Sequence, residues 1–146
     1  MIVKTTFPTI LNIWQNYLWI NRKSKIESHS AMLLDKTYDI KNFDYEASYF
    51  LYVIDGKIAG CNSGHKCSDN TYRSRGLYVF PEYRGHGYGT QLLLETIKQG
   101  KVEFANTVWS YPRSESWDTY KKAKFKLVSD WEESEMGRNA YCLLKF

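Results

Sequence analysis

Arg84-Gly85-His86-Gly87-Tyr88-Gly89-Thr90 sets three glycines at every second position, between the strand-like run Leu77-Tyr78-Val79-Phe80 and the apolar Leu92-Leu93-Leu94. No carboxylate stands among residues 83 to 94. A loop of this composition leaves consecutive backbone N–H groups free to point into one concavity at the start of a helix. Phosphates bind there, aided by the helix dipole. Glycine serves because a side chain would block close approach of the ligand and because such loops often demand φ > 0. Two better-known phosphate loops do not fit. The dinucleotide pattern G-x-G-x-x-G has different spacing, and a P-loop needs a lysine before Thr90. The bland alternative is a glycine turn that only joins strand to helix.

Other residues invite chemistry less strongly. Cys61, His65 and Cys67 have ligand chemistry, but on a strand the ends of that set lie roughly 20 Å apart. Without a sharp bulge at Gly64 they cannot converge, so no metal is expected. With Cys142 the cysteines number three, which argues against a disulfide framework. Arg73 and Arg75 either bind an anionic acceptor or stand as solvated edge charges. Lys121, Lys122 and Lys124 usually form a solvated face, with phosphate contact as the sharper alternative.

The glycine loop resembles the acetyl-CoA loop of the GNAT superfamily of N-acetyltransferases, Gln/Arg-x-x-Gly-x-Gly/Ala. The preceding Leu-Tyr-Val and Pro81-Glu82-Tyr83 are also typical of that family. The resemblance implies an acetyl-CoA-dependent N-acetyltransferase, with acetyl-CoA as co-substrate and an amine of a small molecule or protein as acceptor. It implies that Leu77, Tyr78 and Val79 line the pantetheine arm and thioester, and that Arg84, Gly85, His86, Gly87, Tyr88, Gly89 and Thr90 hold the pyrophosphate. It also implies a tyrosine that protonates the departing thiolate. Tyr120-Lys121-Lys122-Ala123-Lys124-Phe125 matches the family's Tyr-x-Lys-x-Gly-Phe at Tyr, Lys and Phe, with Lys124 in place of glycine. Tyr120 is thus the expected general acid. His65, the histidine on the neighbouring strand, is the candidate base, with Glu46, Asp69 and Glu115 as other options. The alternatives are a non-catalytic acyl-CoA sensor and a toxin-like acetyltransferase acting on charged tRNA.

The elements that must position these residues follow from length and pattern. The chain has 146 residues, 43% hydrophobic and 25% charged, with a net charge of +4. One domain over residues 1–146 is expected, with a core of its own. The mild positive charge suits an anionic cofactor as well as nucleic acid, and nucleic acid is not the expected partner. No apolar run or leader pattern stands out, so a cytoplasmic protein without a membrane partner is expected, with a homodimer left open. Residues 2–5 are β-prone, Phe7 to Leu18 are spaced as a helix, and Ser24-x-x-Glu27 has the form of a capping box opening a second helix. Residues 35–46 are polar and read as loop. Strands follow at 47–54 and 57–61 around the Asp55-Gly56 turn, and at 71–80. The helix after the glycine loop runs to about Gln99, with Gly100 as its stop. A parallel strand at 104–111, a helix at 114–125, and strands at 125–131 and 139–146 around an acidic loop complete the chain. The predicted class is α/β (α+β), a GNAT-like mixed, mostly antiparallel sheet of about six to seven strands with helices on both faces.

Overall fold

The computed structural model describes residues 1–146. Strand β1 (Ile2–Thr5) leads into helix α1 (Phe7–Ile13), with Pro8 in its first turn, and a π-helical turn, Trp14–Leu18, continues it. A long connection then crosses the sheet before β2 (Ser48–Ile54), β3 (Lys57–Lys66) and β4 (Tyr72–Val79). Helix α2 (Tyr88–Val102), β5 (Thr107–Ser110) and helix α3 (Trp117–Lys122) follow. The chain ends in β6 (Lys126–Leu127), the hairpin β7 (Glu132–Ser134) and β8 (Gly137–Asn139), and β9 (Cys142–Lys145). Seven strands form one sheet in the order β1-β2-β3-β4-β5-β9-β6, antiparallel except for the β4–β5 pair.

Strand alternation assigns the layers. Leu51 and Cys61 pack with Ile10, Ile13, Trp14 and Leu18, so α1 and its π-helical turn cover one face. On the other face Asn62 donates to Thr96 of α2, and Tyr72 and Val108 pack against Leu93, Ile97 and Tyr120. Helices therefore cover both faces, and the mixed sheet matches the expected class. The turn between β2 and β3 is Asp55-Gly56, with φ of 49° and 75°. Positive φ at both central residues is what a type I′ hairpin turn requires.

The structure departs from the sequence reading in the segment after Trp19. No helix forms at 24–34, because other groups claim the carbonyls it would need. Arg75 donates to the Glu27 carbonyl, Arg22 to that of Lys25, and Asn42 to those of Ser30 and Met32. The segment is an irregular strap held by long side chains. Residues 40–44, expected as loop, form a 3-10 turn whose Asn42 is fully buried and also accepts from the Ser68 amide.

Gly100 does not stop α2. It lies inside the helix, where an added Cβ would come within 3.0 Å of Val108 and 3.1 Å of Tyr72. The helix ends instead where Phe104 takes φ 61°. The acidic loop is the β7–β8 hairpin, and the strand expected at 125–131 shortens to two paired residues, Lys126 and Leu127.

Gly76 sits at φ 79°, and a Cβ there would collide with the indole of Trp14, whose Nε1 donates to the Gly76 carbonyl at 2.8 Å. Gly76→Ala is expected to cost roughly 2–4 kcal/mol in denaturant unfolding, from backbone strain plus overpacking. Gly85→Ala, where nothing lies within 4 Å of the added Cβ, should cost about 1 kcal/mol by strain alone.

Candidate active site

The site begins where two parallel strands part. β4 pairs with β5 only at Tyr72↔Val108 and Arg73↔Trp109. The Ser74 carbonyl then accepts from the Ser110 hydroxyl at 2.8 Å rather than extending the ladder. On its other edge β4 pairs Cys61↔Tyr78 and Ser63↔Arg75, three residues against two. One extra residue is therefore accommodated beside Gly76, a β-bulge that bends β4 away from β5. Phe80 N–H donates to Ala59 of β3. Antiparallel ladders alternate their bonding direction, so the polar groups of Val79 turn to the side where β5 has left. Accordingly, the Val79 carbonyl takes its hydrogen bond from Arg84 Nε at 2.8 Å, not from β3.

The glycine loop enters α2 beyond this gap. Gly85 and Gly87 have φ of 84° and 82°, and an added Cβ at either would meet open space. These two glycines answer a backbone demand. Gly89 answers a packing demand, since its Cβ would lie 3.0 Å from Thr119 of α3. None of the amide N–H groups of residues 85–90 finds an acceptor in the protein, and α2 has no side-chain cap. Six consecutive donors therefore stand at the positive end of a fifteen-residue helix.

A cleft of about 560 Å³ joins this loop to the gap. Leu77, Tyr78, Val79, Arg84, Gly85, Gly87, Tyr88, Gly89 and Thr90 line it, together with Arg113, Glu115 and Lys122. His86 is outside it, its ring stacked on Tyr88 at 5.6 Å. Of the lysines near α3 only Lys122 reaches the cleft wall.

Through the gap lies a second cavity, of about 220 Å³, which shares Leu18, Leu77, Arg113 and Ser116 with the cleft. Tyr120 is on its wall, 2% exposed, with its hydroxyl 3.1 Å from Ser110 Oγ. Burial pushes the phenol up to about 12, against the lowering effect of the Ser110 hydrogen bond, so it holds its proton at neutral pH. Ser110 has one proton to give. With that proton on the Ser74 carbonyl, the Tyr120 hydroxyl donates to Ser110, and the three groups form a chain ending at the fork.

Arg73 and Arg75 also line this cavity and are not solvated edge charges: both are buried. Arg73 lies over Trp109, and Arg75 over Trp14 and Trp19, with centroid distances of 4.8, 5.0 and 5.2 Å. Glu135 is the cavity's carboxylate. The Ser24 amide and hydroxyl and the Lys23 amide hold it below the usual carboxylate range.

The structure sets His65 apart from this arrangement. It is 1% exposed, lines neither cavity, and has both ring nitrogens engaged. Nδ1 faces the Lys66 carbonyl at 3.2 Å and Nε2 the Ser30 amide at 3.3 Å, which fixes the neutral tautomer with Nδ1 protonated. Burial above all holds its pKa well below the usual histidine value. Cys61 packs in the α1 core, apart from Cys67, and all three thiols are free. Glu46 and Asp69 line neither cavity. Sequence reasoning missed Ser110 and the Gly76 bulge. A glycine inside an otherwise regular strand was the available signal for the bulge.

Comparison with known proteins places this geometry. The sequence model of the acetyltransferase (GNAT) family matches residues 14–125. No curated protein matches the chain in sequence. Among solved structures, Escherichia coli ElaA superposes with a TM-score of 0.72 at 13% identity, covering 99% of this chain and 100% of that one. A ribosomal-protein-alanine N-acetyltransferase from Brucella melitensis gives 0.69 at 14% identity, covering 100% and 99%. The PaiA N-acetyltransferase from Thermoplasma acidophilum, solved in complex with coenzyme A, gives 0.58 at 22%, covering 73% and 65%. At such identities the likeness is one of fold. The family match extends from the π-helical turn, through the glycine loop, to the end of the Tyr120 segment, and on that ground the chain belongs to the acetyltransferase (GNAT) family, as an acyltransferase.

Proposed function

We propose that this chain transfers an acetyl group from acetyl-CoA to a primary amine by direct attack of the amine on the thioester. The observation that carries the reading is continuity. Unpaired amides at residues 85–90 open into a cleft that leads, through the parted strands, to a protonated phenol. Acetyl-CoA supplies an activated acyl group. The residues present fit it, because a diphosphate satisfies the free amides and an extended arm satisfies the edge of β4.

In this reading the loop from Arg84 to Thr90 holds the pyrophosphate. His86 contributes through its backbone amide, since its ring lies outside the cleft. Leu77 and Tyr78 line the arm, and the Val79 N–H polarises the thioester carbonyl as an oxyanion donor does. Arg84 must first release the Val79 carbonyl, which an exposed side chain can do at little cost. The amine nitrogen bonds to the carbonyl carbon as the C–S bond breaks, largely because both reactants are held together. Tyr120 gives its proton to the leaving sulfur and recovers one from the amine.

The amine has to arrive neutral. No histidine lines either cavity, and Glu115 and Glu135 are the carboxylates that do. His65 has no part in this proton path. Its buried, doubly engaged ring is a structural tie between β3 and the strap.

Tyr120→Phe should lower kcat about 100-fold while leaving coenzyme A affinity unchanged, read by thiol release and by calorimetry. A binding module without turnover would show no such split. Gly85→Asp, which sets a carboxylate among the free amides, should weaken coenzyme A binding at least about tenfold in the same calorimetry, by charge repulsion at a site built for phosphate. Unchanged affinity there would move the cofactor to another part of the surface.

A further inference from the structure

Two cations are buried beside the proposed acceptor position without a matching anion. Arg73 and Arg75 are 7% and 5% exposed, at alternate positions of β4 and thus on one face of it. The four ion pairs of the structure involve neither of them. Arg75 makes one hydrogen bond, from Nη1 to the Glu27 carbonyl at 2.9 Å. Arg73 Nη1 reaches Ser30 Oγ at 2.9 Å, while its Nε has no partner at all. Indole faces compensate each charge in part. The cavity's carboxylate, Glu135, is already committed to Ser24 and the Lys23 amide.

Burying a charge is costly unless it is paired, and guanidinium is the side chain best shaped to receive carboxylate. The cavity is also small. Its volume of about 220 Å³ lies below the roughly 300–1,000 Å³ of sites for drug-sized ligands. Trp19, Met32 and Tyr111 give it an apolar side.

Resting on the acetyltransferase reading above, we infer that the acceptor is a small amine carrying a carboxylate, which Arg73 and Arg75 receive so that the amino group faces the sheet opening. A free α-amino acid has this chemistry. So has the end of a short peptide, though the cavity volume favours the smaller molecule. A polyamine or aminoglycoside does not, since its ammonium groups would be repelled by the same two cations. The cations have a second effect on such a substrate. Their field favours loss of the ammonium proton, which supplies the neutral nucleophile without a dedicated base.

The test compares this chain's activity on paired acceptors under saturating acetyl-CoA, by thiol release. Amino acids with small or apolar side chains are set against the corresponding amino acid amides, dipeptides, spermidine and ethanolamine phosphate. The expected result is a kcat/KM at least tenfold higher for amino acids than for their amides. Arg75→Gln should abolish that preference by raising KM for the amino acid at least tenfold more than KM for the amide, with KM for acetyl-CoA unchanged. Should the variant fold poorly, the wild-type protein supplies a second readout. An amino acid without acetyl-CoA should raise the melting temperature, and its amide should not. Equal turnover of acid and amide, or preference for spermidine, overturns the inference and leaves the acetyltransferase reading intact. Preference for ethanolamine phosphate replaces carboxylate by phosphate and overturns it as stated, and preference for dipeptides overturns the single amino acid as substrate. Failure to bind coenzyme A overturns the reading on which it rests, and melting protection by acid but not amide then upholds the anion site alone.

Discussion

The site depends on one constraint: β4 and β5 must pair at their start and must not pair further. Parallel strands with free edges tend to continue their ladder, because every unpaired carbonyl and amide is otherwise a loss. Here side chains occupy the positions that would close it. The Ser110 hydroxyl takes the Ser74 carbonyl at the fork, and the Trp14 indole takes the Gly76 carbonyl at the bulge. Farther along, Arg84 takes the Val79 carbonyl. The first two partners are buried and fixed in the core, whereas Arg84 is exposed and free to leave. The opening is thus held by permanent contacts at its base and by a releasable one where an extended ligand would lie.

The same economy governs the strap, which lies on the α1 face of the sheet. Between Arg22 and Asn42 few backbone groups bond to one another, and side chains from distant elements serve them instead. Arg75 holds Glu27, Asn42 holds Ser30 and Met32, and Glu135 of the terminal hairpin holds Lys23 and Ser24. Arg75 thereby has two consequences. It removes a carbonyl from the helix that Ser24 and Glu27 suggest, and it leaves its charge on the cavity wall. The structural role does not use up the electrostatic one, since one Nη1 bond leaves most of the guanidinium uncommitted.

Local rules explain which parts were legible in the sequence. The Asp55-Gly56 hairpin, the glycine loop and α2 depend on turn chemistry and short-range period, and each lies where the pattern puts it. The meander and the parallel crossover follow from the order of those elements, as does the resemblance carried by residues 84–89. Long-range contacts decide the rest. Nothing near Ser24 announces that Glu135 will bind it, 111 residues away. Gly100 looks like a stop because glycine ends helices; its actual use, letting α2 approach Tyr72 and Val108, depends on the far side of the sheet. Arg73 and Arg75 alternate with Tyr72 and Ser74, as charges on a solvated edge would. Only the strap's path shows that this face is covered. Tyr120 was found through a motif, whereas Ser110, its partner, belongs to no motif and is met only when β5 ends at the fork.

Tyr120 poses a question of magnitude that its partners help to answer. In the proposed transfer a phenol pushed up to about 12 by burial would face a thiolate whose own pKa is lower, so complete proton transfer is uphill. A free tyrosinate is therefore not a plausible stopping point in this cavity. The cost falls if the phenol gains the amine's proton while losing its own, because no net charge then develops on the buried oxygen. Ser110 suits that exchange. Its hydroxyl can accept from Tyr120 while donating to the Ser74 carbonyl, or turn its proton toward the phenol oxygen as charge builds there. Arg73 acts in the same direction, since its positive charge lowers the phenol's pKa. In the proposed reaction, then, the charge of Arg73 would act at both ends of the transfer, on the amine and on the phenol.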